Sequence, residues 1–146
     1  MFWLVTLLKE SVMQVKDIMC KDCQYIHPDT SLKDAAKLMR DLDVGFLPVE
    51  ENDRLVGVVT DRDIVIRGLA GGLDGDVKNA MSSGCLYCHE DDSIEDLSTN
   101  MAKNKVRRLP VMNKDKRLVG VVSLGDLSFK GSQQVAGEAL AAVAKH

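Results

Sequence analysis

The sequence predicts an α+β fold built from two similar units, and three observations carry that prediction. The first is an internal duplication. Val15-Lys16-Asp17-Ile18-Met19 returns as Val77-Lys78-Asn79-Ala80-Met81, and Val44-Gly45-Phe46-Leu47-Pro48-Val49 returns as Val106-Arg107-Arg108-Leu109-Pro110-Val111. Arg54-Leu55-Val56-Gly57-Val58-Val59-Thr60 returns as Arg117-Leu118-Val119-Gly120-Val121-Val122-Ser123. The offset of about 62 residues exceeds the ~20–50-residue period of solenoids, and two copies are fewer than a solenoid needs. The second observation is that each copy mixes a helical-period apolar segment with β-branched strands. The third is size: a unit of roughly 60 residues is marginal alone, and two units sharing a core solve that problem. Two units about a pseudo-two-fold axis follow, so a ligand groove on one half implies a related groove on the other.

The chain has 146 residues, 45% hydrophobic and 28% charged, as expected of one globular domain. A formal net charge of −3 and 4% aromatics argue against nucleic-acid binding, which needs a basic excess or stacking platforms. The apolar start Met1-Phe2-Trp3-Leu4-Val5-Thr6-Leu7-Leu8 meets Lys9-Glu10 well short of the ~18–20 residues of a membrane span. It also lacks the basic flank and cleavage site of a secretory signal, so a cytoplasmic location is the expectation. The predicted organisation is an extension at 1–12, a first repeat at 13–70, a linker at 71–76, a second repeat at 77–130 and a C-terminal helix at 131–146.

Within the first repeat, Cys23-Gln24-Tyr25-Ile26 reads as a short extended run, stopped by His27-Pro28-Asp29-Thr30. Ser31-Leu32-Lys33-Asp34 reads as a capping box, opening a helix with Leu32, Ala35, Ala36, Met39 and Leu42 on one face. Val44–Val49 is a strand whose proline predicts an edge position or the strand's start. Leu55–Val59 is a second strand, followed by a helix from Asp61 to Ala70. The second repeat has the same order: Ser93 caps a helix with Ile94, Leu97 and Met101 inward, and strands follow at Val106–Val111 and Leu118–Val122. Each unit is thus β-α-β-β-α. The tail predicts an amphipathic helix with Val135, Ala139, Leu140 and Val143 on one face.

Each copy sets a hydroxyl and a carboxylate three residues apart directly after the β-branched strand, as Thr60/Asp63 and Ser123/Asp126. Such residues share a face at a helix start. An ionised carboxylate only accepts hydrogen bonds, which suits a ribose whose two adjacent hydroxyls can both donate to it. The same pattern is also a plain capping box worth about 1 kcal/mol, and Ser31/Asp34 and Ser93/Asp96 share it with no ligand assigned. Both readings stay open on the local pattern.

Taken in order, Val-Lys-Asp-Ile-Met, Asp-Val-Gly-Phe-Leu-Pro-Val, Leu-Val-Gly-Val-Val-Thr-Asp-Arg-Asp-Ile and Arg-Arg-Leu-Pro-Val resemble a tandem pair of CBS domains, the cystathionine-β-synthase-type regulatory module. The resemblance covers about residues 13–130. It implies two pseudo-symmetric units packed through their sheets, binding adenosine-containing ligands (AMP, ADP, ATP or S-adenosylmethionine) in clefts between them. It further implies a homodimer, a conformational signal of the energy-sensor type, and a downstream protein that the sequence does not name. Carried onto this chain, Thr60 and Asp63 hold ribose at one site, and Ser123 and Asp126 at the other. Gly45, Phe46, Leu47 and Pro48 line one base pocket, and Arg107, Arg108, Leu109 and Pro110 the other. Backbone groups of Cys23–Ile26 and Cys85–Cys88 read the adenine edge. Arg62 beside the first motif, and Arg107 and Arg108 beside the second, suit phosphate through their planar fork, with a solvated strand residue as the alternative for Arg107. The two sites are therefore expected to be unequal, with the one holding Thr60 and Asp63 favoured.

The four cysteines fall as Cys20-x-x-Cys23 and Cys85-x-x-Cys88, followed by His89. The pairs lie too far apart for a compact zinc ribbon and do not align between repeats, since Cys20 matches Ser82 and Cys88 matches Ile26. Reduced thiols with no bound metal are the expectation, and a haem-attachment reading of Cys85–His89 is set aside for lack of an export signal. No nucleophile–base set or phosphate loop appears, so the chain reads as a non-enzyme. Two alternatives to nucleotide binding stay open: a thiol- or metal-based redox module, and a structural dimerisation module with vestigial clefts.

Overall fold

The computed structural model describes residues 13–72, 75–84 and 86–144. The expectations for residues 1–12 and for Cys85 lie outside the described residues. The fold is α+β.

Helix α1 (Val15–Ile18) is the first element among the described residues. Helix α2 (Leu32–Leu42) begins where the Ser31 hydroxyl accepts the Asp34 N–H at 3.0 Å, filling one of the four donors a helix start leaves unpaired. It ends at Asp43, held in the left-handed region with φ 54°. Strands β1 (Phe46–Glu51) and β2 (Arg54–Thr60) form an antiparallel hairpin with a bulge between Val49 and Glu50. One turn of helix, α3 (Asp61–Asp63), widens into a π-helical segment at Ile64–Leu69, closed by Ala70 N–H to the Val65 carbonyl at 2.9 Å. A 3-10 turn (Val77–Asn79) starts the second copy.

That copy continues through β3 (Cys88–His89), α4 (Ile94–Asn104), β4 (Arg108–Met112), β5 (Leu118–Ser123), α5 (Leu124–Asp126), a π segment at Leu127–Gly131, and α6 (Gln133–Ala144). Its sheet has the order β3-β4-β5, with β3 parallel to β4.

Two compact units result, and neither is a contiguous repeat. One comprises residues 22–84 with 116–118; the other comprises 13–21, 86–115 and 119–144. The opening segments are exchanged. Val15 and Ile18, fully buried, pack with Leu97, Met101, Leu109 and Val122 of the second copy. Val77 and Ala80 pack with Leu32, Met39, Leu47 and Val59 of the first. Each opening segment also crosses a strand of its host: Cys20 bridges Val121, and Ser82 bridges Val58. These crossings explain the glycine in each Leu-Val-Gly-Val-Val run. A Cβ at Gly57 would sit 2.7 Å from the Ser82 carbonyl oxygen, and one at Gly120 would sit 2.7 Å from that of Cys20.

Three expectations are corrected. Ala36 and Leu42 face solvent, because Leu32, Ala35 and Met39 alone fill the buried face of α2. On α6 the buried residues are Ala136 and Ala139, while Leu140 is exposed. The helix after β2 changes to π geometry at Ile64 instead of continuing as α-helix. Of the two places open to a strand proline, an edge or a start, β4 takes the second: it lies between β3 and β5, and Pro110 is tolerated because β3 pairs only with Val111 and Met112. Ile26 bridges Val49 on the far side of β1.

Candidate functional site

Antiparallel pairing sets Phe46 opposite Thr60, so the entry of β1 and the exit of β2 meet at one end of the hairpin. The Asp61 N–H donates to the Gly45 carbonyl at 3.0 Å and locks the two segments together. The same bond recurs in the other unit, from the Leu124 N–H to the Arg107 carbonyl at 2.9 Å. Each repeat therefore brings its hydroxyl–carboxylate motif beside its strand-entry segment: Thr60, Arg62 and Asp63 beside Gly45–Pro48, and Ser123 and Asp126 beside Arg107–Pro110.

The side chains divide by depth. Phe46, Leu47 and Pro48 are buried, as are Leu109 and Pro110. Gly45, Thr60, Asp63, Ser123 and Asp126 are half-buried, and Arg62, Arg107 and Arg108 are exposed. An apolar floor under half-buried polar groups is the usual form of a small-molecule site.

Both motifs are reciprocal capping boxes. The Thr60 hydroxyl accepts the Asp63 N–H at 3.1 Å, and Asp63 Oδ2 accepts the Thr60 N–H at 2.9 Å. Ser123 and Asp126 do the same at 3.1 and 3.0 Å. Ser31 and Ser93 cap their helices from one side only. A reciprocal box fixes the carboxylate's orientation with one oxygen and leaves the other, Oδ1, pointing away from the backbone it caps. Oδ1 of Asp126 lies 3.9 Å from Lys130 Nζ. Oδ1 of Asp63 carries no hydrogen bond among the described residues.

The run expected to read an adenine edge is partly occupied. The Ile26 N–H donates to the Pro48 carbonyl at 3.0 Å, and its carbonyl accepts the Glu50 N–H at 2.8 Å. Only the backbone of residues 23–25 in that run stands outside the sheet. Cys88 is spent in the core, where burial pushes its thiol up to about 12 and the carboxylate of Asp92 pushes the same way. Its Sγ donates to the Pro110 carbonyl at 3.7 Å.

Sequence reasoning passed over two neighbours of the first site. The Asp61 carboxylate packs on Gly45, where an added Cβ would come within 2.8 Å of Asp61 Oδ2. The Arg67 guanidinium turns to the Ala80 carbonyl and the Ser82 hydroxyl, at 3.5 and 3.4 Å. The Gly45/Arg107 and Asp61/Leu124 differences between the copies were the available signal.

Comparison with known proteins gives a consistent picture. The CBS domain family matches residues 15–69 and again 75–130. The CBS domain-containing protein YhcV of Bacillus subtilis is 40% identical over 129 residues, spanning 86% of this chain and 91% of its own. The crystal structure of Hypoxic Response Protein I, described with two coordinated zinc ions, has a TM-score of 0.73 at 37% identity and covers 80% of this chain and 97% of its own. The CBS domain pair of protein MJ0100, described in complex with methylthioadenosine and S-adenosyl-L-methionine, has a TM-score of 0.73 at 30% identity and covers 80% of this chain and 94% of its own.

Proposed function

The chain belongs to the CBS-domain family, and from that premise we propose that it is a non-catalytic regulatory module binding adenosine-containing ligands of the AMP, ADP and ATP class, with S-adenosylmethionine as a further member. Asp63 and Asp126 grip the ribose diol through the carboxylate oxygen that capping leaves over. Thr60 and Ser123 hold those carboxylates in place and offer hydroxyls of their own. The buried Phe46-Leu47-Pro48 and Leu109-Pro110 segments form the apolar wall for the base. The observation that carries this reading is the twofold meeting of a reciprocal capping box with a strand entry over an apolar floor. The adenosine compounds named for the MJ0100 pair support it.

No chemistry on the ligand is required. A micromolar dissociation constant, suited to sensing cellular pools, corresponds to about −8 kcal/mol. The signal arises when ligand binds one of two conformations of a cytoplasmic homodimer more tightly and a partner protein distinguishes them.

The zinc ions of Hypoxic Response Protein I favour a metal- or thiol-based module as the second reading. Among the described residues, which leave out Cys85, no three or more His, Cys, Asp or Glu are gathered to hold a metal. Cys88, with its thiol raised to about 12, is a poor ligand at neutral pH.

Calorimetric titration with AMP, ATP and S-adenosylmethionine tests the proposal. Asp63→Ala should weaken binding at its own site by about tenfold or more, equivalent to about 1.4 kcal/mol, and leave the site of Ser123 and Asp126 in place. It should cost only about 1 kcal/mol of stability through the lost cap. Failure of the wild-type protein to bind any of the three contradicts the proposal.

A further inference from the structure

The two sites carry different charge at equivalent positions. Beside Thr60 stand Asp61 and Asp63 against Arg62 and Arg67, a net charge of zero. Beside Ser123 the corresponding positions hold Leu124, Gly125, Asp126 and Lys130. Arg107 and Arg108 stand there where the first repeat has Gly45 and Phe46. Three cations against one carboxylate give a net charge of +2.

The geometry sharpens this contrast. The Asp61 carboxylate lies against Gly45 and accepts the Arg62 N–H on Oδ1 at 2.8 Å. Any side chain at position 45 would meet that carboxylate at 2.8–3.3 Å. Glycine at 45 and aspartate at 61 therefore form a matched pair, placing a second anion where β1 and α3 join. In the other repeat the same backbone bond joins Leu124 to Arg107, and neither anion nor glycine is present. Arg67, the first repeat's counterpart of Lys130, is turned onto Ala80 and Ser82, whereas Lys130 Nζ stands 3.9 Å from Asp126.

We propose that the two sites are sorted by ligand charge, with Asp61 and the Arg107/Arg108 pair as the specificity-determining residues. The site of Ser123 and Asp126 takes a phosphate-bearing adenosine compound. The site of Thr60 and Asp63 takes one without phosphate, a neutral nucleoside or a cationic sulfonium derivative. Arginine forks bind phosphate oxygens in pairs, and a local excess of one sign attracts or repels a polyanion within about a Debye length, ~8–10 Å. The inference rests on the adenosine reading above and adds selectivity between its two sites.

The test titrates adenosine and ATP into Asp126→Ala, which keeps the first site, and into Asp63→Ala, which keeps the second. The second site should bind ATP about tenfold or more tightly than adenosine, and that margin should shrink at about 0.5 M salt. The first site should bind adenosine at least as tightly as ATP. In the otherwise wild-type protein, Arg107→Gln with Arg108→Gln, both exposed positions clear of the capping boxes, should weaken ATP binding by a larger factor than adenosine binding. Equal ATP-to-adenosine ratios at the two sites overturn charge sorting, as does an unchanged ATP affinity in the Arg→Gln protein. If neither ligand binds the wild-type protein, the adenosine reading itself falls.

Discussion

Glu50 shows how position in a strand sets the behaviour of one side chain. The bulge after Val49 brings it into a nearly closed site facing Asp53, His27 and Arg117, with Arg117 also 3.5 Å from Asp53. Burial raises its pKa, the Asp53 carboxylate raises it further, and His27 and Arg117 offset part of the rise. A carboxyl whose folded value lies above its unfolded value stabilises the fold only while protonated. That contribution is full below about pH 4 and is lost as pH climbs through the raised value. Glu50→Gln should therefore raise the melting temperature at pH 7 by roughly 1–3 °C. Below about pH 4 the two proteins should melt together. Thermal melts across that range check this, and a Gln protein less stable at pH 7 contradicts it.

Among the elements, each opening segment crosses a strand of the neighbouring copy at a backbone approach too close for a side chain. Gly57→Ala should cost about 1–3 kcal/mol in urea denaturation, since the new methyl meets the Ser82 backbone and cannot be relieved by a rotamer change. Gly137→Ala is the control: its Cβ would meet nothing within 4 Å on α6, so helix propensity should stabilise it by up to about 1 kcal/mol. Equal losses in both would show that the crossing is not the cause. The strands, capping serines and site motifs were legible in the sequence because each rests on local chemistry: β-branched runs, a hydroxyl three residues before a carboxylate, a proline at a strand entry. The exchange was not, because Val15-Lys16-Asp17-Ile18-Met19 looks the same whichever core its apolar face joins. The π segments were hidden for a similar reason, since Ile64–Leu69 has no composition that separates π from α geometry. Leu140 misled because its spacing fits a stripe that the smaller Ala136 and Ala139 fill.

At the scale of the whole molecule, duplication gives one chain two copies of the same hydroxyl–carboxylate device. Within each copy the device was readable from sequence down to the residue, because the strand register that assembles it is written in the repeat. The difference between the copies needed the structure: only there does the Asp61 carboxylate meet Gly45, and only there does Arg67 turn away while Lys130 stays. The claim beneath the account is that a carboxylate held by its own helix cap accepts the two hydroxyls of a ribose. Comparing AMP with 2′,3′-dideoxy-AMP by calorimetry on the wild-type protein addresses that claim directly, because hydrogen bonds to a charged acceptor are worth about 1.5–3 kcal/mol. The account predicts that AMP binds about tenfold or more tightly, and that Asp63→Ala with Asp126→Ala removes the difference. Equal affinity of the wild-type protein for the two nucleotides would contradict it.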